Sequence, residues 1–154
     1  MGPMVALYVD ADACPVKKEA FKVAERHGLH VFVVANAFMT LPVRKWIELV
    51  VVRGDFNAAD DWIAEHATAF DIVVTDDIPL ADRAVKRGAL VLTPRGRRLT
   101  EDSVCDALAT RNLMDSLREA GAVTSGPAPF TDRDRSQFLS RLDETVNAAK
   151  RGRK

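Results

Sequence analysis

The chain has 154 residues, with 22 basic side chains against 22 acidic ones and a hydrophobic share of 47%. That length fits one globular domain, the apolar content is enough for a core, and zero net charge excludes a uniformly basic nucleic-acid coat while leaving room for local basic patches. The two cysteines, Cys14 and Cys105, form neither a disulfide framework nor a C-x-x-C metal knuckle, which points to a reduced cytoplasmic setting. No apolar run approaches the about 18 residues of a membrane span. The first residues lack a charged region followed by an apolar one, and Ala6 stands where myristoylation at Gly2 needs Ser or Thr. The expectation is a small soluble intracellular domain with no membrane partner.

Residues 5–10 (VALYVD) are an apolar run ending in a carboxylate, long enough for a buried strand and too short for a helix. A helix follows from Pro15 to about His27, with Gly28 as its stop. Val16, Ala20, Val23 and Ala24 form its apolar stripe, while Lys17, Lys18, Lys22 and Glu25 fall outside it. Residues 30–35 (HVFVVA) and 47–52 (IELVVV) read as the second and third strands, with one helical turn expected over 41–46 between them. Asn57 caps a predicted helix to Ala67, with Asp60 and Asp61 in its first turn.

Residues 71–75 (DIVVT) make a fourth strand, residues 79–87 a helix stopped by Gly88, and residues 89–92 a fifth strand. Strands alternating with helices of this length predict parallel β-α-β units with right-handed crossovers. Thr100 caps a long helix to about Ala120, residues 121–129 are a Gly/Pro/Ser-rich connector, and Thr131 with Asp134 resembles a capping box opening a last helix. The expected architecture is a three-layer α/β/α domain over residues 1–149. It has a mainly parallel sheet of about five strands and a helical C-terminal part from about residue 100; the basic tail 150–154 (KRGRK) is expected to be disordered.

Open parallel sheets bind ligands outside the carboxyl ends of their strands. The acids of this chain fall at such ends. Asp10 closes the first strand and Asp12 follows two residues later, so an extended segment turns both carboxylates to one side. Asp76 and Asp77 follow the fourth strand, Asp60 opens the helix after the third, and Asp82 lies about one helical turn beyond Asp77. Clustered carboxylates repel one another, and a hard cation with oxygen preference, Mg²⁺ or Mn²⁺, relieves that repulsion. Such a site suits phosphoryl transfer or phosphodiester hydrolysis. Each acid taken alone also reads as an ordinary turn former or helix cap; repetition at three strand ends favours a site.

Residues 9–17 (VDADACPVK) and 74–82 (VTDDIPLAD), with PRG at 94–96 and GP at 126–127, resemble the YaiI/YqxD-like family of small bacterial proteins. The resemblance covers nearly the whole chain, and that family is regarded as related to PIN-like nuclease domains. It implies a PIN-like α/β/α fold and a metal-dependent nuclease activity, with RNA preferred over DNA. By the same resemblance, Asp10 matches the first acid of PIN-like domains and Asp77 the acid of their T-x-D signature. Asp60 stands where a middle acid, more often Glu, is found. Asp82 takes a fourth acidic role at a shorter spacing, and Asp12 belongs to this family's own D-A-D-A-C-P motif.

Other residues at the same sheet edge are candidates for substrate contact. Asn36 ends the second strand, Thr75 is placed to orient a ligating carboxylate, and Arg95, Arg97 and Arg98 follow the fifth strand in PRGRR. Cys14 sits before a helix N-terminus, but His27 and His30 lie at that helix's far end, so it reads as a packed residue rather than a nucleophile. Cys105 is expected to face the core. Trp46 and Trp62 read as core or groove-wall residues rather than stacking platforms.

Three functions fit this sequence. The first is a Mg²⁺- or Mn²⁺-dependent phosphodiesterase in which Asp10, Asp12, Asp60 and Asp77 hold metal and activate water. The second is a phosphatase of the haloacid-dehalogenase type, with DADAC as its D-x-D-x-[TV] signature and Asp10 as nucleophile; Cys14 in place of Thr or Val, and the absence of a cap module, weigh against it. The third is a non-catalytic nucleic-acid-binding or interaction protein on the same scaffold.

Overall fold

The structure is a computed structural model that describes residues 5–11, 15–54, 58–106 and 130–152. Five parallel strands, β1 (Ala6–Asp10), β2 (His30–Ala35), β3 (Ile47–Val51), β4 (Ile72–Val74) and β5 (Leu90–Leu92), are joined by a short sixth, β6 (Arg98–Leu99). Helices α1 (Lys17–His27), α2 (Ala58–His66) and α3 (Ile78–Lys86) alternate with the strands. Residues 101–106 are helical and are called α4, and α5 spans Asp132–Gly152. The sheet order is β3-β2-β1-β4-β5-β6, with only β5–β6 antiparallel. Among the described residues no helix is long and apolar enough to cross a membrane.

Period-two alternation sorts the strands' side chains between two cores. Leu7, Val9, Val31, Val33, Ile72, Val74 and Leu92 face α1 and α5, where Ala20, Val23, Phe138, Leu142 and Val146 meet them. Tyr8, Val34, Val73 and Val91 face the other way, onto Ala59 and Ile63 of α2 and Leu80, Ala81 and Ala84 of α3. Right-handed crossovers explain the division. The path β1–β2–β3 moves one way along the sheet and the path β3–β4–β5 moves back, so their connections lie on opposite faces. This leaves the α1 side of β4 and β5 without a crossover helix, and α5 fills it. The result is three layers.

Caps fix the helix ends. Gly28 adopts φ 69° at the C-terminus of α1, as the sequence requires of its stop residue. Thr131 and Asp134 form a reciprocal capping box: the Thr131 N–H donates to Asp134 Oδ2 at 2.9 Å, and the Asp134 N–H donates to Thr131 Oγ1 at 3.2 Å. Thr100 Oγ1 accepts from the Ser103 N–H at 3.3 Å and opens α4. Asp71, buried ahead of β4, accepts from the Thr68 N–H, the Thr68 hydroxyl and the Ala6 N–H, which ties the starts of β4 and β1 together.

Several expectations are corrected. Residues 41–46 form no helical turn: the chain there is irregular up to a turn at 45–46, and Met39, Leu41 and Trp46 cover the sheet in place of a crossover helix. A sixth strand, not expected from the sequence, makes residues 94–97 the turn of a β5–β6 hairpin, closed by Thr93 N–H donating to Arg97 O at 2.9 Å. Gly96 there has φ 90°, and a Cβ would stand 2.9 Å from the Gln137 carbonyl oxygen, so the glycine lets the hairpin lie against α5. Cys105 is exposed because Val104 takes the inward position of α4. Lys150 to Gly152 continue α5 instead of forming a disordered tail, with Lys150 Nζ donating to His27 O at 3.0 Å. Trp46 and Trp62 are half-buried, Trp62 against Tyr8 and Phe32, as expected of wall residues. Asn57, the predicted helix beyond residue 106, the 121–129 connector and residues 153–154 lie outside the described residues.

Phe138 is fully buried and joins α5 to the sheet and α1. Phe138→Ala should destabilise the fold by about 3–5 kcal/mol, the usual range for a large core truncation, read from the urea midpoint at constant m-value.

Candidate functional site

β1 and β4 are neighbours, yet the chain leaves β1 toward β2 and reaches β4 from β3. The connections therefore diverge on either side of this pair, which makes the carboxyl ends of β1 and β4 the topological switch point of the sheet. The register sets Val9 beside Val74, so Asp10 and Thr75 emerge side by side just past the last paired rung.

Asp10 is 5% exposed and Thr75 is 1% exposed. The Thr75 hydroxyl donates to Asp10 Oδ2 at 3.0 Å and accepts from the Asp77 N–H at 3.0 Å. Asp77 is the N-cap of α3: its Oδ1 accepts from the Leu80 N–H at 2.9 Å, and Pro79 pre-sets the first turn. One threonine oxygen thus links the Asp10 carboxylate to the Asp77 backbone, while the Asp77 carboxylate is held by the Leu80 N–H. The T-D-D-I-P segment reads locally as a strand end, a hydroxyl relay and a helix cap.

Asp60 enters from the first turn of α2 and faces the same two acids. Its carboxyl is pushed up to about 7, first by burial, then by the charges of Asp77 and Asp10, a hydrogen bond to Asp77 and the charge of Asp61. Three acids from three segments converge here. Among the described residues, no three His, Cys, Asp or Glu side chains are drawn close enough to hold an ion by themselves. An all-oxygen donor set this open suits an ion that keeps several waters and needs only one or two carboxylates, the habit of Mg²⁺, rather than the closed cages of Ca²⁺ or Zn²⁺. Asp12 and Cys14 lie outside the described residues.

The remaining candidates divide. Asp82 pairs with Lys86 Nζ at 2.9 Å and is not among the acids that raise Asp60, so the structure does not bring it into this cluster. Asp76 lies at the surface, yet desolvation raises its carboxyl, and the Arg95 cation acts against that rise. Asn36 lines an open cleft of about 860 Å³ with Phe38, Val51 and Arg53 at the ends of β2 and β3. Arg95 bonds Asp134 Oδ2 at 3.2 Å and lies over the Phe130 ring at 5.8 Å. Arg97 is exposed on the hairpin turn, and Arg98 is half-buried in β6 with its Nε enclosed and without a hydrogen-bond partner among the described residues. His66 is exposed and stacked on Trp62 at the far end of α2 from Asp60. Sequence reasoning missed the part played by the start of α5: Phe130 and Asp134 hold Arg95, and only the capping-box pattern marked that segment.

The model of the family described as "Uncharacterized BCR, YaiI/YqxD family" matches residues 8–148. A UPF0178 protein of Brucella ovis is 56% identical over 148 residues, covering 96% of this chain and 92% of its own. UPF0178 proteins of Brucella canis and Brucella suis are each 55% identical over the same coverage. No solved structure matches. With a family model spanning both acidic motifs and relatives similar over almost their whole length, this chain belongs to the YaiI/YqxD family.

Proposed function

We propose that this protein is a Mg²⁺- or Mn²⁺-dependent phosphodiesterase of the cytoplasm that hydrolyses RNA in preference to DNA. The observation that carries the reading is the convergence of Asp10, Asp60 and Asp77 at the switch point, where the buried Thr75 hydroxyl bonds the Asp10 carboxylate and the Asp77 backbone N–H. Asp77 also caps α3, but capping requires neither the Asp60 carboxyl beside it nor the link through Thr75 to Asp10. The preference for RNA rests on the resemblance to PIN-like nucleases alone.

Asp10 and Asp77 would hold the ion, with Asp12 as a further ligand or base. When bound, the ion neutralises the site and polarises a water next to the scissile phosphate. Asp60, in its ionised form, accepts the proton that the attacking water loses as its oxygen bonds to phosphorus; a pKa raised to about 7 makes that carboxylate a stronger base than an ordinary one. The ester P–O bond then breaks, and the leaving oxygen takes a proton from solvent. Arg95 and Arg97 would contact substrate phosphate; Arg95 is already oriented by Asp134.

Asp10→Asn and Asp77→Asn should each abolish Mn²⁺-dependent cleavage of single-stranded RNA while circular dichroism stays native. Undiminished cleavage in both would refute the metal-ligand assignment, and a fluoroberyllate adduct on Asp10 would replace it with aspartyl-phosphate chemistry. Equal RNA binding in EDTA and Mg²⁺ with no cleavage would favour a non-catalytic binding protein. Thr75→Val, which keeps shape and removes the hydroxyl, should weaken Mn²⁺ affinity by about 10- to 100-fold, measured by calorimetry.

Asp60 also predicts a pH dependence. The folded protein keeps the Asp60 proton up to about 7, whereas the unfolded chain releases it near 3.8. The stabilisation from the protonated form is therefore complete below the lower value and lost as pH rises through the upper one. Urea unfolding in EDTA should show stability falling across that window, and Asp60→Asn should remove the fall. Saturating Mg²⁺ should flatten it by favouring the ionised carboxylate.

A further inference from the structure

Two guanidinium groups flank one aromatic ring at the start of α5. Arg95, from the β5–β6 hairpin, lies 5.8 Å from the Phe130 ring centroid, and Arg135, from α5, lies 5.1 Å from it. Each is also held by carboxylates: Arg95 Nη1 by Asp134 at 3.2 Å, and Arg135 by Glu19 at 3.4 Å from Nη1 and by Asp132 at 3.9 Å from Nε. Arg135 donates further to Pro15 O at 3.1 Å, the carbonyl that ends the D-A-D-A-C-P motif. On the other side, Arg95 acts electrostatically on Asp76, the neighbour of Asp77. The stack therefore bridges the two segments that carry the acids.

We propose that Arg95, Phe130 and Arg135 form a subsite for a backbone phosphate of single-stranded nucleic acid, next to the phosphate that is cleaved. The proposal rests on the phosphodiesterase reading and adds to it a contact with a second phosphate of the chain, beyond the one that is cleaved. Both guanidiniums are restrained by the ring and a carboxylate, so little side-chain freedom is lost on binding a ligand. Each side chain nevertheless stays about two-fifths exposed, at 38% for Arg95 and 41% for Arg135. A guanidinium presents its donors in a planar fork that matches phosphate, and a carboxylate on one edge sets the plane of that fork. Isolated solvated arginines would not share one ring or reach both acidic segments.

The test measures binding of a fluorescein-labelled single-stranded oligoribonucleotide to the full chain in EDTA, where cleavage is blocked, across a salt series. Arg95→Gln and Arg135→Gln should each weaken binding by about ten-fold or more and lower the log–log salt slope by about one. Arg135→Lys should keep the slope while losing part of the affinity, which separates a phosphate contact from a purely structural anchor. Phe130→Leu, which leaves both charges in place, should weaken binding by less. Absence of binding by the wild-type chain, or unchanged affinity and slope in both Gln variants, would overturn the subsite. If binding falls as expected but Mn²⁺ yields no cleavage, the subsite stands and the hydrolytic reading falls. If cleavage is lost in Asp10→Asn while binding is insensitive to both arginines, the hydrolytic reading stands and the subsite falls.

Discussion

A carboxylate buried at the end of a parallel strand has to be compensated, and the rest of this site follows from how Asp10 is treated. At 5% exposure it is largely removed from solvent and takes a charge-assisted hydrogen bond from Thr75. Thr75 is available only because β4 lies beside β1, and β4 lies there only because the chain crosses back from β3 past β2 and β1. The reversal of strand order, the hydroxyl relay and the nearby N-cap of α3 are one arrangement seen at three scales. Asp60 joins it from α2, the helix of that same crossover.

The parts of the fold that are legible in the sequence are those with local causes. Strand runs bounded by Gly, Asp and Pro place β1, β2, β3, β4 and β5 to within a residue or so, and the Thr131/Asp134 box marks the start of α5. What stays hidden is non-local. β6 is two residues long and exists because Arg98 and Leu99 pair back onto β5, which no period in PRGRR announces. Cys105 reads as a core residue by type, but the helix phase set by Val104 turns it outward. The basic tail reads as solvated charge until His27 appears as a hydrogen-bond partner more than a hundred positions away.

The site is legible in the same uneven way. Asp10, Asp60 and Asp77 stand out because strand-end position is a local signal with a global meaning in parallel sheets. Asp82 has the same composition signal but is claimed by Lys86 one turn along its helix, an i,i+4 pairing that competes for the carboxylate. Arg95 stands out by its charge, yet what gives it a defined place is Phe130 and Asp134, which sequence proximity does not connect to it.

The placement of α5 also bears on how the molecule forms. This helix completes the layer over β4 and β5 and packs on α1, through contacts such as His27 with Asp143, separated by 116 positions. Contacts of that separation raise the loop-closure entropy that must be overcome before they contribute, so the α1–α5 seam belongs late in folding. Until it closes, Ile72, Val74 and Leu92 present an apolar sheet face to water. The contact surface that buries this face is also the one that brings Arg135 to Pro15, so docking of α5 and placement of that arginine are coupled.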